Sequence, residues 1–199
     1  MNYSSPATRR GRPITRNREH VLETAMHAYW KEDWANVSVN AICELAGISK
    51  PSLYRDFGSE DELTAAVLDR YAQTILGPME LLLSSNRSFS SKLEALIYFI
   101  SEDPQMEMGC LFVKMRTTRS RFGKQTQEKI NAIEAHFINL YIELFKKSAK
   151  RGEWAGKVTA ELAATYLYEQ MGLAVTQRAA GEKSKLVRQL LGLALSVVH

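Results

Sequence analysis

Two serines, Ser38 and Ser49, each stand immediately ahead of a short run of apolar residues at helical spacing, and Gly47 separates the two runs. A serine side chain accepts a hydrogen bond from the free amides of a helix's first turn, so each serine marks a helix start. Pro51 is compatible with the second start, because its missing amide would have no intrahelical partner in the first turn. Ala46, Gly47 and Ile48 end the first helix, where a glycine supplies the positive φ that a tight turn requires. Two short helices joined through such a turn form a helix-turn-helix, here over 39–57, whose second helix places its first residues in the DNA major groove. Ile42, Ile48, Leu53 and Phe57 close its small core, which leaves Lys50, Ser52, Tyr54, Arg55 and Asp56 directed wholly or partly outward.

The remaining periodic segments also repeat at helical spacing, and no alternating run of β-branched residues is long enough to argue for a sheet, so the fold class is all-α. A first helix over 16–31 lines up Val21, Leu22, Ala25, Met26, Tyr29 and Trp30 on one broad face. After the motif, Ser59 opens a helix whose first turn holds Glu60, Asp61 and Glu62, where carboxylates complement the positive end of the helix dipole. Gly77 and Pro78 predict a kink or interruption in it, and with it a hinge. Helices are expected next over 91–101, 109–120 and 124–150. The last two, over 159–179 and 183–198, are apolar around much of their circumference and expect burial on more than one side. The expected organisation is a flexible basic arm over 1–13, a three-helix DNA-binding domain over 14–58, and a larger helical domain over 59–199 that begins with a linking helix.

Several function classes fall away. No apolar run approaches the roughly 18 residues that a membrane span needs, and the start of the chain has arginines but no apolar segment behind them, so a cytoplasmic location is expected. Cys43 and Cys110 lack the spacing of a redox pair or zinc knuckle, and His20, His27, His136 and His199 show no ligand spacing, so no metal and no cofactor is expected. No nucleophile elbow, phosphate loop or catalytic Ser/Cys with a matched His is present, which argues against an enzyme. Arg9, Arg10, Arg12, Arg16 and Arg18 all precede the first acid, Glu19, and such an arm meets phosphate.

The arm 10–13 (Arg-Gly-Arg-Pro), the helix ending Tyr29-Trp30, the unbroken stretch from Ser38 to Phe57, and Glu62-Leu63 together resemble the TetR family of bacterial regulators. Gly109, Cys110 and Leu111, and the stretch 149–154, look like features found in part of that family. The resemblance implies a homodimer built on the last two helices, a small-molecule effector site among the middle helices, and repression at a palindromic operator. By position it implies base contacts for Asn40, Lys50, Pro51 and Ser52 and phosphate contacts for Ser38 and Tyr54. Ser49, Arg55, Arg10 and Arg12 complete the candidate DNA-binding set, the last two because the arm resembles an AT-hook that enters a narrow minor groove. Two positions depart from the family: Asp56 stands where many members have a histidine, and Glu60 where many have a lysine, so both are expected to repel DNA and weaken its grip. The alternative function is an architectural DNA binder with A·T preference and no dedicated effector.

Candidate effector-site residues are Met108, Cys110, Met115, Phe137, Tyr141, Tyr168 and Met171, set against the reading that aromatics and methionines at helical spacing are core. Cys43 reads as a packing residue. Cys110 has two readings, a buried packing thiol or a thiol acidified by a helix N-terminus that senses oxidants or electrophiles. The basic stretch Lys114, Arg116, Arg119, Arg121 and Lys124 reads either as a solvated face or as a site for an anionic effector or further DNA.

Overall fold

Both serine caps are formed. In the computed structural model, which describes residues 14–197, Ser38 Oγ accepts from the Ala41 amide at 3.1 Å and Ser49 Oγ from the Ser52 amide at 3.4 Å. They open α2 (Val39–Ala46) and α3 (Lys50–Phe57) behind α1 (Ile14–Glu32). Gly47 takes the left-handed conformation, φ 63° and ψ 36°, and the Ile48 amide donates back to Cys43 O at 3.0 Å, so the end of α2 is closed by its own backbone. Val21 and Ala25 of α1 meet Ile42 and Leu53 in a core without solvent exposure. A turn absent from the sequence reading separates α1 from α2: Asp33, at φ 70°, caps a single 3₁₀ turn at Trp34–Asn36.

Ser59 opens α4 (Glu60–Tyr71), its hydroxyl accepting from the Glu62 amide at 3.2 Å and donating to Glu62 Oε2 at 2.8 Å. The expected break at Gly77 and Pro78 takes a milder form. A π-helical turn at Ala72–Leu76 runs directly into α5 (Gly77–Ser84), and Gly77 itself stays helical at φ −53° and ψ −43°. The wider turn absorbs the amide that Pro78 lacks, so the helical path continues where a kink was expected.

Then come α6 (Phe89–Glu102), which Ser88 caps and which starts two residues before the expected 91, and a 3₁₀ turn at Pro104–Met108. The helix expected over 109–120 is shorter: Gly109 has a positive φ of 75°, Cys110 is extended, α7 covers only Leu111–Thr117, and Arg119–Arg121 forms another 3₁₀ turn. The long α8 (Lys124–Lys150) packs against α4 on one side and α9 (Ala160–Ala179) on another, and α10 (Ser184–Val197) lies on α9 and α6. The described residues form helices and turns, with no strand. None of these helices is long and apolar enough to cross a membrane.

One acid expected only to favour its own helix also starts another. Asp61 accepts from the Gln125 amide at 2.8 Å and the Thr126 amide at 3.2 Å, while Thr126 Oγ1 donates to the Asp61 carbonyl at 3.1 Å. Residue 61 is thus the N-terminal cap of α8, supplied from α4. Replacing Asp61 by alanine should lower stability by about 1–2 kcal/mol in urea unfolding, the usual cost of losing a cap. An unchanged midpoint would show that α8 starts without it.

Candidate nucleic-acid interface and the cavity behind it

The first turns of α2 and α3 carry the outward residues. Ser38, Asn40, Ser49, Lys50, Pro51 and Arg55 are exposed, and Ser52 and Tyr54 are half-buried. The hydroxyls of Ser49 and Ser52 share a 3.0 Å hydrogen bond, so the two side chains are held together at the start of α3. Lys50 Nζ stands 5.9 Å from the centre of the Tyr54 ring, and Arg18 of α1 lies 4.7 Å over Phe57 at the far end of α3. Arg10 and Arg12 lie outside the described residues.

Asp56 is placed differently from the expectation. Its side chain is only 6 % exposed, and Oδ1 accepts from Arg55 Nε at 3.0 Å, so the carboxylate is turned inward and paired with its neighbour. Its negative charge is not presented on the α3 surface. Glu60 is exposed, as a first-turn residue of α4 should be, and it keeps its charge toward solvent.

Behind this surface, α1 is fastened to the segment that leads into α7. Trp30 Nε1 donates to the Gly109 carbonyl at 2.7 Å, Lys114 Nζ donates to the Trp30 carbonyl at 2.9 Å, and Trp34 stacks on Phe122 at 4.1 Å between ring centres. Tyr71, at the end of α4, meets Trp30 edge-on at 5.1 Å, and its hydroxyl accepts from the Leu111 amide at 3.3 Å. The 109–111 segment therefore holds α1 with one residue and α4 with another.

The same segment walls a cavity. It encloses about 680 Å³ including its open mouth, and most of its lining is aliphatic or aromatic. Of the residues singled out in the sequence, Cys110, Phe137, Tyr141, Tyr168 and Met171 lie together around it. Met108 does not: it ends the 3₁₀ turn at 39 % exposure. Met115 is fully buried in the core without lining the cavity. Sequence reasoning missed Tyr71, Ile75, Met79 and Phe99, which reach the cavity from α4, the π turn, α5 and α6. The one signal in the chain was the Gly77-Pro78 pair, beside which the path widens.

Burial, not the helix start, governs Cys110. Desolvation pushes its thiol above the usual range, and the Tyr71 hydroxyl and the Phe112 and Val113 amides offset this only in part. That environment favours the packing-thiol reading of Cys110 over the acidified one. The basic stretch 114–124 is a solvated face only at its end, where Arg121 and Lys124 are exposed. Arg116 pairs with Glu134 and Glu169, Arg119 with Glu134 and Asn131, Lys114 with the Trp30 carbonyl, and Arg121 lies 5.2 Å over the Trp34 ring. These cations tie the α7 region to α1, α8 and α9. Among the described residues no group of three or more His, Cys, Asp or Glu is placed to hold a metal ion.

Residues 21–67, which run from the buried face of α1 through both short helices into α4, match the family model of bacterial regulatory proteins, tetR family. Over this segment the chain is similar to the tetR family. Two repressors are similar to this chain. ComR of Escherichia coli is 30% identical over 115 residues, which is 56% of this chain and about half (55%) of that one, and KstR2 of Rhodococcus jostii is 20% identical over 158 residues, 79% and 78% of the two chains. Solved structures extend the likeness to the whole fold. Reduced NemR of Escherichia coli matches at a TM-score of 0.80, 17% identity, 92% of this chain and 97% of its own. A tetR-family regulator from Agrobacterium tumefaciens matches at 0.81, 15% identity, 94% and 99%. At such identities the tetR fold is shared and the chemistry of the cavity is this chain's own.

Proposed function

We propose that the protein is a ligand-responsive transcriptional repressor that binds a palindromic operator as a homodimer and leaves it when a small molecule enters the cavity. In this reading residues 14–58 are the DNA-binding domain, 1–13 an arm that adds phosphate contacts, and 59–199 the effector-binding and dimerisation domain. Ser38, Asn40, Lys50, Pro51 and Tyr54 contact the operator, and the last two helices pair with those of a second copy. That ComR and KstR2 are called repressors supports the sign of the regulation.

The observation that carries the reading is the 2.7 Å hydrogen bond from Trp30 to the Gly109 carbonyl, one residue from a cavity wall formed by Cys110. A molecule that displaces Cys110 or Tyr71 must move the points where α1 and α4 are held. In a dimer, a small rotation of each α4 changes the separation of the two α3 helices, and the operator then fits one arrangement better than the other. The ligand acts only through that difference in affinity.

Selection of bound sites from random DNA tests the proposal. The expected product is a palindrome bound by the dimer about 10³-fold or more above random sequence. Equal binding to any A·T-rich DNA would overturn it in favour of an architectural protein. On the selected site, Lys50→Ala should weaken binding by about 1–3 kcal/mol, as for a lost base or phosphate contact at the start of a recognition helix. Unchanged affinity in that variant would remove Lys50 from the interface.

A further inference from the structure

The wall of the cavity limits what can enter it. Among its described lining residues Arg116 alone carries a charge, and that charge is already matched. Arg116 Nη1 donates to Glu134 at 3.0 Å and Glu169 at 2.8 Å, and Nη2 donates to the other Glu169 oxygen at 2.7 Å. Arg119 takes the second oxygen of Glu134 at 2.8 Å. Two guanidinium groups thus face two carboxylates, and the guanidinium of Arg116 is only 13 % exposed. An anion would have to displace a carboxylate from a bidentate pair in which the Arg116 side chain is largely buried, and so break an existing charge match to make its own. A cation would find no carboxylate on the wall at all.

What the wall leaves unmatched is a neutral donor. The Tyr168 hydroxyl is buried and has no hydrogen-bond partner, in a residue more than nine-tenths buried. Its ring lies beneath Arg116 at 5.0 Å and edge-on to Tyr141 at 6.1 Å, so two phenols share one wall. Burial pushes both hydroxyls up, Tyr168 to about 12, so each keeps its proton at neutral pH and can donate it. A buried donor without a partner costs about 1–3 kcal/mol, which an acceptor on an incoming molecule would recover. The rest of the wall, including Ile75, Met79, Phe99, Phe137 and Met171, offers only apolar contact.

We infer that the occupant is an uncharged, mainly apolar molecule carrying one carbonyl or ether oxygen, which accepts a hydrogen bond from the Tyr141–Tyr168 pair. The inference rests on this cavity being the effector site, and it names the class of effector.

Four probes of one shape test it on the full-length protein: 2-acetylnaphthalene, 2-ethylnaphthalene, 2-naphthoate and 2-naphthylmethylammonium, titrated by calorimetry. The ketone should bind about 10-fold or more tightly than either ion, since an ion must leave water for an apolar wall. In Tyr141→Phe/Tyr168→Phe the ketone should lose about 5-fold of its advantage over the hydrocarbon, the worth of one neutral hydrogen bond, while the hydrocarbon binds as before. Met171→Trp, which fills the cavity, should weaken ketone and hydrocarbon alike. Equal or tighter binding of an ion, an unchanged ketone-to-hydrocarbon ratio in the double variant, binding indifferent to Met171→Trp, or no binding of any probe would each overturn the inference. If the ketone binds in the stated pattern yet leaves the selected operator bound, the class of occupant stands and the effector reading fails instead.

Discussion

If the protein is the proposed homodimer, replacing Leu193 by glutamate is expected to turn it into monomers and, with that, to abolish tight binding to the operator. The last two helices leave leucines in solvent: Leu162 is 57 % exposed, Leu173 52 % and Leu193 65 %, on the same pair of helices whose other faces are fully buried. Between α9 and α10 runs a groove lined by Tyr166, Leu173, Ala174, Leu190, Leu193 and Ala194. An apolar surface of this extent on a folded chain marks a place where another surface sits. In a two-fold interface each substitution occurs twice, so the variant would bury two carboxylates without partners. At several kcal/mol for each buried unpaired charge, dimerisation should weaken by about 10³-fold or more. A monomer holds one half-site, and the affinity that depended on two is lost. Sedimentation equilibrium and operator titration measure the two effects. Leu81, 74 % exposed on α5 and outside the groove, supplies the control: Leu81→Glu should leave both unchanged. A Leu193→Glu protein that remains dimeric would move the interface elsewhere.

The parts of this molecule that were legible in the sequence are those fixed by neighbours along the chain. Ser38, Gly47 and Ser49 act on amides and turns within a few residues, so their types alone placed α2 and α3. The core residues Ile42, Leu53 and Phe57 follow the helical period and are buried as expected. Local chemistry did not reveal where charges end. Asp56 looked like a repulsive charge on the recognition helix, yet a neighbouring arginine and an inward rotamer withdraw it. Arg116 looked solvated because its sequence neighbours are basic; its partners Glu134 and Glu169 come from α8 and α9, 18 and 53 residues away. Asp61 was read for its own helix dipole, and its service to α8 spans a similar distance. The cavity was half legible for the same reason. Phe137, Tyr141, Tyr168 and Met171 sit on long helices whose phase is secure. Met108 precedes, and Met115 lies within, a short helix that begins two residues later than expected, and there an error of one position turns a side chain from wall to core or solvent.

Gly109→Ala is expected to cost far more than Gly47→Ala, although both glycines have positive φ. Gly47 sits in the left-handed region at φ 63° and ψ 36° with open space where a Cβ would go, so alanine there should cost about 1–2 kcal/mol. Gly109, at φ 75° and ψ −167°, occupies a region that only glycine populates freely, where the strain alone is about 1–3 kcal/mol. Its Cβ would also approach Ala179 Cβ to 3.0 Å and Lys114 Cε to 3.3 Å. Lys114 can give way, but Ala179 belongs to α9, and moving a packed helix costs more than turning a side chain. Strain and overpacking together put the loss at about 3–5 kcal/mol, so in urea unfolding Gly109→Ala should fall roughly 2–3 kcal/mol below Gly47→Ala. The alternative for the chain is to shift the 109–111 backbone, which would pull the Gly109 carbonyl from Trp30 and the Leu111 amide from Tyr71. That outcome also has a signature: modest destabilisation with a cavity that still binds ligand but no longer alters DNA affinity. If Gly109→Ala instead unfolds at the same urea concentration as Gly47→Ala and still responds to ligand, the segment is not held in this conformation. The path from cavity to α3 must then run through α4 alone.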